Sequence, residues 1–304
     1  MGATLVSDVS NQVQKFWSPL FQDELLERNL LPNLVNKEYE GDLKKTGDTV
    51  YVSQINRPTA TRKTVGSGHE YFSTNKLSTS RISITADQVI SVAYEFDDLV
   101  DLQSQIGDQD SKIRQSMVES MGIELNNYLY EKVSPSTSSP DHFIDSVTDF
   151  NASQLNAVRK LASQAKWPMA GGWYGLIDPQ YYSDLLNAAT LVSVDNVDER
   201  PIVGGMFGTR RFGFNLFEDN SAGLISAMQR LDGTSTATED AGLFFHPDFM
   251  IMVMSQNIEF KVAELTANKQ FGYVIVAKMV VGAALGNDGA DKHIVVYNTW
   301  FIYV

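Results

Sequence analysis

The stretch Gly47-Asp48-Thr49-Val50-Tyr51-Val52-Ser53-Gln54-Ile55, answered further along by Arg81-Ile82-Ser83-Ile84-Thr85-Ala86, decides how this chain is read. Its apolar period is two: Val50, Val52 and Gln54 share one face, and Tyr51, Ser53 and Ile55 share the other. The second alternating run covers residues 81–96, with Ile82, Ile84 and Ala86 on one face. Between the two lie residues 56–80, rich in Thr, Ser and Gly, with Gly66-Ser67-Gly68 near their middle. Two strands joined through a long polar tip predict a projecting hairpin. Its apolar content is too low to bury itself, so it extends into solvent or lies on a partner.

Upstream, residues 1–35 read as an extended or partly helical arm. Phe16, Trp17, Leu20, Phe21, Leu25 and Leu26 recur at helical spacing, Pro19 interrupts them and Pro32 ends the pattern. Such a stripe has to be buried, against the chain's own core or against a neighbouring subunit. Downstream, Asp97 and Asp98 offer N-terminal capping chemistry to a short helix through Leu99, Leu102 and Ile106. Ile113, Met117, Met121, Leu125 and Leu129 then step by four, predicting a long helix that ends before Ser134-Pro135. Residues 135–140 form a Ser/Thr/Pro connector.

Beyond the connector the patterns mix. Leu155, Val158 and Leu161 mark a helix that stops at Trp167-Pro168, Trp173–Ile177 reads as a buried strand, and Asp178-Pro179 reads as a helix start. Residues 204–220 carry glycines and aromatics in turns and short strands, and 234–240 form a low-complexity loop. Strands follow at 249–262, 273–285 and 294–304, separated by Gly/Asn/Asp turns. The class is α+β.

The chemistry available is narrow. Among 304 residues there is no cysteine, which excludes disulfides, thiolate nucleophiles and Cys-ligated metal. The net charge of −13 argues against a broad grip on nucleic acid, which needs clustered Lys and Arg. The N-terminus lacks a signal peptide's basic start and apolar run, and no segment reaches the ~20 apolar residues of a membrane helix. His69, His142, His246 and His293 are scattered and read as ordinary surface or hydrogen-bonded residues. Gly66-Ser67-Gly68 is not a nucleophile elbow, and Gly204-Gly205-Met206-Phe207-Gly208-Thr209 lacks the Walker lysine. Met250, Met252 and Met254 alternate as core filling, and Asp97, Asp98 and Asp101 resemble a cation site only superficially. The expectation is a protein with no catalytic residue, no cofactor and no metal.

What remains is a charge asymmetry. In the hairpin, Arg57, Arg62, Lys63, Lys76 and Arg81 stand against Glu70 alone, a net +4. Residues 87–124 hold nine carboxylates, Asp97, Asp98 and Asp101 among them, against Lys112 and Arg114, a net −7. A basic hairpin that cannot easily fold back fits the acidic helix of another copy, a head-to-tail contact that closes into rings or continues as an array. The candidate subunit-interface residues are therefore Arg57, Arg62, Lys63, Lys76, Arg81, Asp97, Asp98 and Asp101, with Phe16 and Trp17 of the arm.

This order of elements resembles the major capsid proteins of tailed bacteriophages, the Hong Kong 97-like fold. The local cues are Phe16-Trp17-Ser18-Pro19-Leu20 with Leu25-Leu26-Glu27; Lys45-Thr46-Gly47-Asp48-Thr49-Val50; Gly204 to Phe214 followed by Glu218-Asp219-Asn220; and Phe245-His246-Pro247. The resemblance implies an N-terminal arm (1–38), an extended loop (39–97), a peripheral domain with a spine helix (98–148), an axial domain (149–241) and closing strands shared by both (242–304). It implies a subunit that self-assembles, as pentamers and hexamers, into an icosahedral shell around packaged double-stranded DNA, located in the virion and assembled in the host cytoplasm. The expected partners are further copies, a separate scaffolding protein, a portal and a decoration protein, with no specific nucleic-acid recognition and no membrane. The alternatives are an encapsulin-like nanocompartment shell, or a soluble hydrolase or binding protein whose site the residues do not reveal.

Overall fold

The computed structural model describes residues 29–39, 49–62, 64–65, 75–97, 110–188, 202–203, 206–207, 212–232, 238–264 and 272–299. Along the chain come α1 (Leu31–Leu34), β1 (Thr49–Ile55), β2 (Thr79–Thr85), β3 (Gln88–Asp97), α2 (Asp110–Glu131), β4 (Phe143–Ile144), α3 (Ala152–Gln164) and β5 (Trp173–Ile177). They are followed by α4 (Pro179–Asn187), β6 (Ile202–Val203), β7 (Met206–Phe207), β8 (Phe214–Glu218), α5 (Ala222–Asp232), β9 (Thr238–Phe245), β10 (Met250–Glu264), β11 (Gly272–Leu285) and β12 (His293–Thr299). The class is α+β, as the patterns predict.

Two sheets organise the molecule. One is antiparallel in the order β10-β11-β3; the other is mixed in the order β4-β12-β9-β5-β8, with β12/β4 and β5/β8 parallel. The closing strands divide between them: β10 and β11 join β3, whereas β12 pairs with β9 and β4. Met117, Met121 and Leu129 of α2 pack on Met250, Met252, Met279 and Val281 of the first sheet together with Leu224 and Met228 of α5. Leu155 and Val158 of α3, with Tyr181 and Leu185 of α4, cover Trp173, Phe214, Phe244, Ile294 and Val296 of the second. Each such side chain contributes roughly 1.5–3 kcal/mol when fully buried, so these two clusters fix the body.

The helix boundaries follow local chemistry. Asn151 caps α3 by accepting the Ser153 N–H at 2.9 Å. Asp178 caps α4 by accepting the Tyr181 N–H at 3.1 Å, with Pro179 at the first helical position.

The structure corrects four expectations. The run at 81–96 is two strands, β2 and β3, in different sheets, because the chain turns at Ala86 where Gly282 of β11 lies against it. A Cβ at Gly282 would collide with the Thr85 carbonyl. Asp97 closes β3 opposite Gly272, and the short helix expected after it lies outside the described residues. Pro32 opens a short helical turn rather than ending one. Residues 238–240, expected as loop, begin β9, the middle strand of the five-stranded sheet. And α5, not expected at all, stands between β8 and β9.

Candidate assembly surfaces

The hairpin is built by β1 and β2 in antiparallel register, Tyr51 opposite Ser83, Ser53 opposite Arg81 and Ile55 opposite Thr79. The inward face carries Val50, Val52 and Ile84, buried against Ile251 and Val253 of β10. On the outward face Tyr51, Ser53, Ile55, Thr79, Arg81 and Ser83 are exposed, while Thr49 and Thr85 at the base are half-buried and hydrogen-bond to each other at 2.9 Å. The Arg81 guanidinium lies 4.9 Å from the Tyr51 ring centroid, across a diagonal of that face. Ile55 is 68% exposed and Leu77 79%, large apolar side chains that a self-contained fold would bury. The base is therefore fixed on the body while the outer face is left without a partner in the monomer.

Beyond the strands, Arg57, Arg62 and Lys76 are exposed. Lys63, Asp98, Asp101, Phe16 and Trp17 lie outside the described residues, and Asp97 sits at the far end of the first sheet. The structure thus gathers Arg57, Arg62, Lys76 and Arg81 on one projection and places Asp97 on a separate sheet.

A turn that the sequence reading passed over as a simple strand connection holds the hairpin's angle. Gln54 donates to Asp288 Oδ2 at 3.1 Å, and the Asn287 amide donates to the Val52 carbonyl at 3.3 Å. The same segment ties down the rest of the molecule. The Trp167 indole donates to the Asp291 carbonyl at 2.6 Å, Ser136 N–H to Ala290 and His246 N–H to Lys292. His293, fully buried, donates from Nδ1 to the Gly289 carbonyl at 2.8 Å and accepts the Ser134 N–H on Nε2 at 3.1 Å. Residues 286–293 thus connect the hairpin, the end of α2, the end of α3 and both sheets. Asn287-Asp288-Gly289 is visible in the sequence as turn chemistry, but the hairpin groups it holds, Val52 and Gln54, are more than two hundred residues away.

The buried groups with shifted titration are engaged in internal hydrogen bonds. Burial drives His293 down to about 3, with the Gly289 carbonyl opposing, so the ring is neutral. Burial raises Asp178 to about 7, helped by the neighbouring Asp240 and opposed by the N–H of Tyr181. Tyr130 donates its phenol to the buried Asp219, and burial first, then that carboxylate, hold the phenol far above its ordinary range. Asp219 also accepts the Ser221 N–H at 2.9 Å, just ahead of α5. Among the described residues no group of His, Asp and Glu is placed to hold a metal ion, and no helix is long and apolar enough to cross a membrane.

Over its whole length this architecture matches chains of solved phage structures. A chain of the capsid structure of cyanophage P-SCSP1u superposes with a TM-score of 0.71 at 13% identity, covering 95% of this chain and 94% of its own. The capsid asymmetric unit of cyanophage Pam1 gives 0.67 at 13% identity, covering 95% and 97%. A structure from mycobacterium phage Che8 gives 0.69 at 17% identity, covering 93% and 96%. The chain has a phage-capsid fold. No protein-family model matches it, and no curated protein matches it in sequence. The capsid fold is thus shared at 12–17% sequence identity.

Proposed function

We propose that the chain is the structural subunit of an icosahedral phage shell enclosing packaged double-stranded DNA. The observation that carries this reading is the end-to-end superposition on chains of solved phage capsids, with neither chain leaving a large part over. A fold alone hosts many functions. Here the surface agrees with the fold: the hairpin's outer face is amphipathic, cationic and without a partner in the monomer. The described histidines, the Tyr130–Asp219 pair and Asp178 all act as internal hydrogen-bonding groups, which supports a protein that works by contact and not by catalysis.

On this reading residues 39–97 are the extended loop, α2 is the spine of a peripheral domain within 98–148, and 149–241 supply most of an axial domain. Residues 242–304 close both, and 1–38 form an arm. Copies associate as pentamers and hexamers, a separate scaffolding protein directs their curvature, a portal occupies one vertex, and the product is the virion shell. Assembly takes place in the host cytoplasm.

Sedimentation velocity of the chain, expressed alone and with the scaffolding gene beside it, tests the reading. The expected result is a discrete megadalton species. Reversing Arg62→Glu with Lys63→Glu shifts material back to monomer while leaving the monomer's melting unchanged, because exposed loop charges contribute little to fold stability. A chain that stays monomeric under both conditions contradicts the proposal.

A further inference from the structure

The sheet β10-β11-β3 has two edges, and they are built differently. The β10 edge is guarded. Its register slips between Met254 and Gln256 and again between Gln256 and Glu259, and beyond the slips Lys261 pairs with Glu259 at 3.4 Å. Irregular pairing and an edge lysine keep a free strand from capturing another. The β3 edge has neither. β3, Gln88 to Asp97, contains no Lys, Arg, Pro or Gly, and its ten residues pair with β11 without a break in register. Beyond it stands no further strand among the described residues.

The β3 edge is also uncovered. Ile90 and Val92 face the core under α2, but Ser91, Ala93 and Glu95 on the opposite face are exposed. Val89 is 59% exposed, and Tyr94, on the side of α2, is 41% exposed. A long, regular strand rich in Val and Ile, left bare at a sheet edge, is a template for another strand.

The strand that fits it is its own copy. A two-fold axis perpendicular to the sheet keeps like faces together only if it passes through a residue, since a slip by one residue turns the faces over. Through Ser91 the axis would set Glu95 against Asp87, and through Val92 it would set Asp97 against Asp87. Through Tyr94 the overlap shortens to residues 91–97. Through Ala93 it covers 89–97 and no carboxylates meet: Glu95 falls opposite Ser91 and Asp97 opposite Val89. Val92 then falls opposite Tyr94, a favourable β-branched and aromatic pair. The acidic end of each strand lies along the uncharged end of the other.

We infer that β3 pairs with β3 of a second copy, antiparallel and centred on Ala93, joining two three-stranded sheets into one continuous sheet. The contact is isologous and closes on itself. It goes beyond the shell reading: a head-to-tail contact makes rings, and a closed shell also needs rings joined to one another, which a two-fold contact supplies.

Single cysteines test the pair, since the chain has none. Directly opposed residues of antiparallel strands sit about 4.5–5.5 Å apart, within disulfide reach. Ala93→Cys alone, oxidised mildly, is therefore expected to give a disulfide-linked dimer. Ser91→Cys alone and Glu95→Cys alone are not, because each lies about 13 Å along the strands from its own counterpart. A mixture of those two should cross-link. Lys261→Cys is the control: Ala93, Val276 and Lys261 form one row across the sheet, so it sits at the same level on the guarded edge. No more dimer from Ala93→Cys than from Lys261→Cys, or cross-linking that ignores position, overturns the pair. Particles that form without the cross-link leave the shell reading standing, and a cross-linked dimer without particles supports the pair and contradicts the shell reading. Ala93→Lys needs no oxidation. It opposes two ammonium groups at the axis and is expected to raise the concentration at which copies associate in sedimentation about tenfold, an effect relieved by mixing with Ala93→Glu copies. No rise, or a rise that mixing leaves in place, overturns the pair.

Discussion

Gln54, on β1 of the hairpin, donates its side-chain amide to Asp288 at 3.1 Å, and Asp288 stands in the turn between β11 and β12. This contact and its neighbour, Asn287 to the Val52 carbonyl, couple the angle of a projecting element to the strand connection of both sheets. The hydrophobic base of the hairpin fixes where it is rooted, and the two side-chain amides fix how it is tilted.

Replacing Gln54→Ala and Asn287→Ala together is expected to loosen the hairpin without unfolding the body. Each lost hydrogen bond is worth about 1 kcal/mol, a factor of about five in local opening. Hydrogen exchange followed by mass spectrometry checks this: β1 and β2 amides should exchange several-fold faster while β9 and β12 amides do not change.

Gly282→Ala tests the crossing at Ala86. The added methyl meets the Thr85 carbonyl, backbone that cannot rotate away, so a loss of about 2–4 kcal/mol is expected in denaturant melts. Gly282→Ala with unchanged stability would mean that β2 and β11 are not in contact there.

These cases show where the sequence was legible. The two faces of the hairpin followed from the alternation Val50/Val52 against Tyr51/Ile55, because a period of two survives any packing partner. The core stripe of α2 followed from Met117, Met121 and Leu129 in the same way. The break at Ala86 did not, since alternation continues across it and its cause, Gly282, is remote in sequence. β9 was hidden because a central strand buried on both faces, with Leu243, Phe244 and Phe245 in succession, shows no period and follows a low-complexity run. α5 was hidden by Gly223 in its first turn, a poor helix former that packs closely on Asn127 and Tyr130. The cationic side of the candidate interface was readable as charge, in Arg57, Arg62, Lys76 and Arg81.

Asp178 makes the fold sensitive to alkali. Its carboxyl titrates near 3.8 unfolded and near 7 folded, so its contribution is full below about 3.8 and is lost as the pH rises through 7. Asp178→Asn keeps an acceptor for the Tyr181 N–H and removes the titration. Thermal melts at pH 5 and pH 8 should show the variant gaining on the parent chain at the higher pH.

His293 works in the opposite direction. Its ring titrates near 6.5 unfolded and near 3 folded, so its neutral form contributes above about 6.5 and that stability is lost as the pH falls toward 3. Protonation costs the bond from Ser134 N–H and adds charge beside His142, which lies next to β4 and donates from Nδ1 to the His293 carbonyl at 3.0 Å. His293→Gln should flatten the acid limb of the stability profile measured by urea titration between pH 4 and 7.

Electron microscopy of the expressed chain tests the central claim most directly. The account predicts closed particles of icosahedral symmetry whose reconstruction places the outer face of each hairpin, Tyr51, Ile55 and Arg81, against a neighbouring copy. Dispersed monomers in every condition, or particles in which that face stays in solvent, would contradict it.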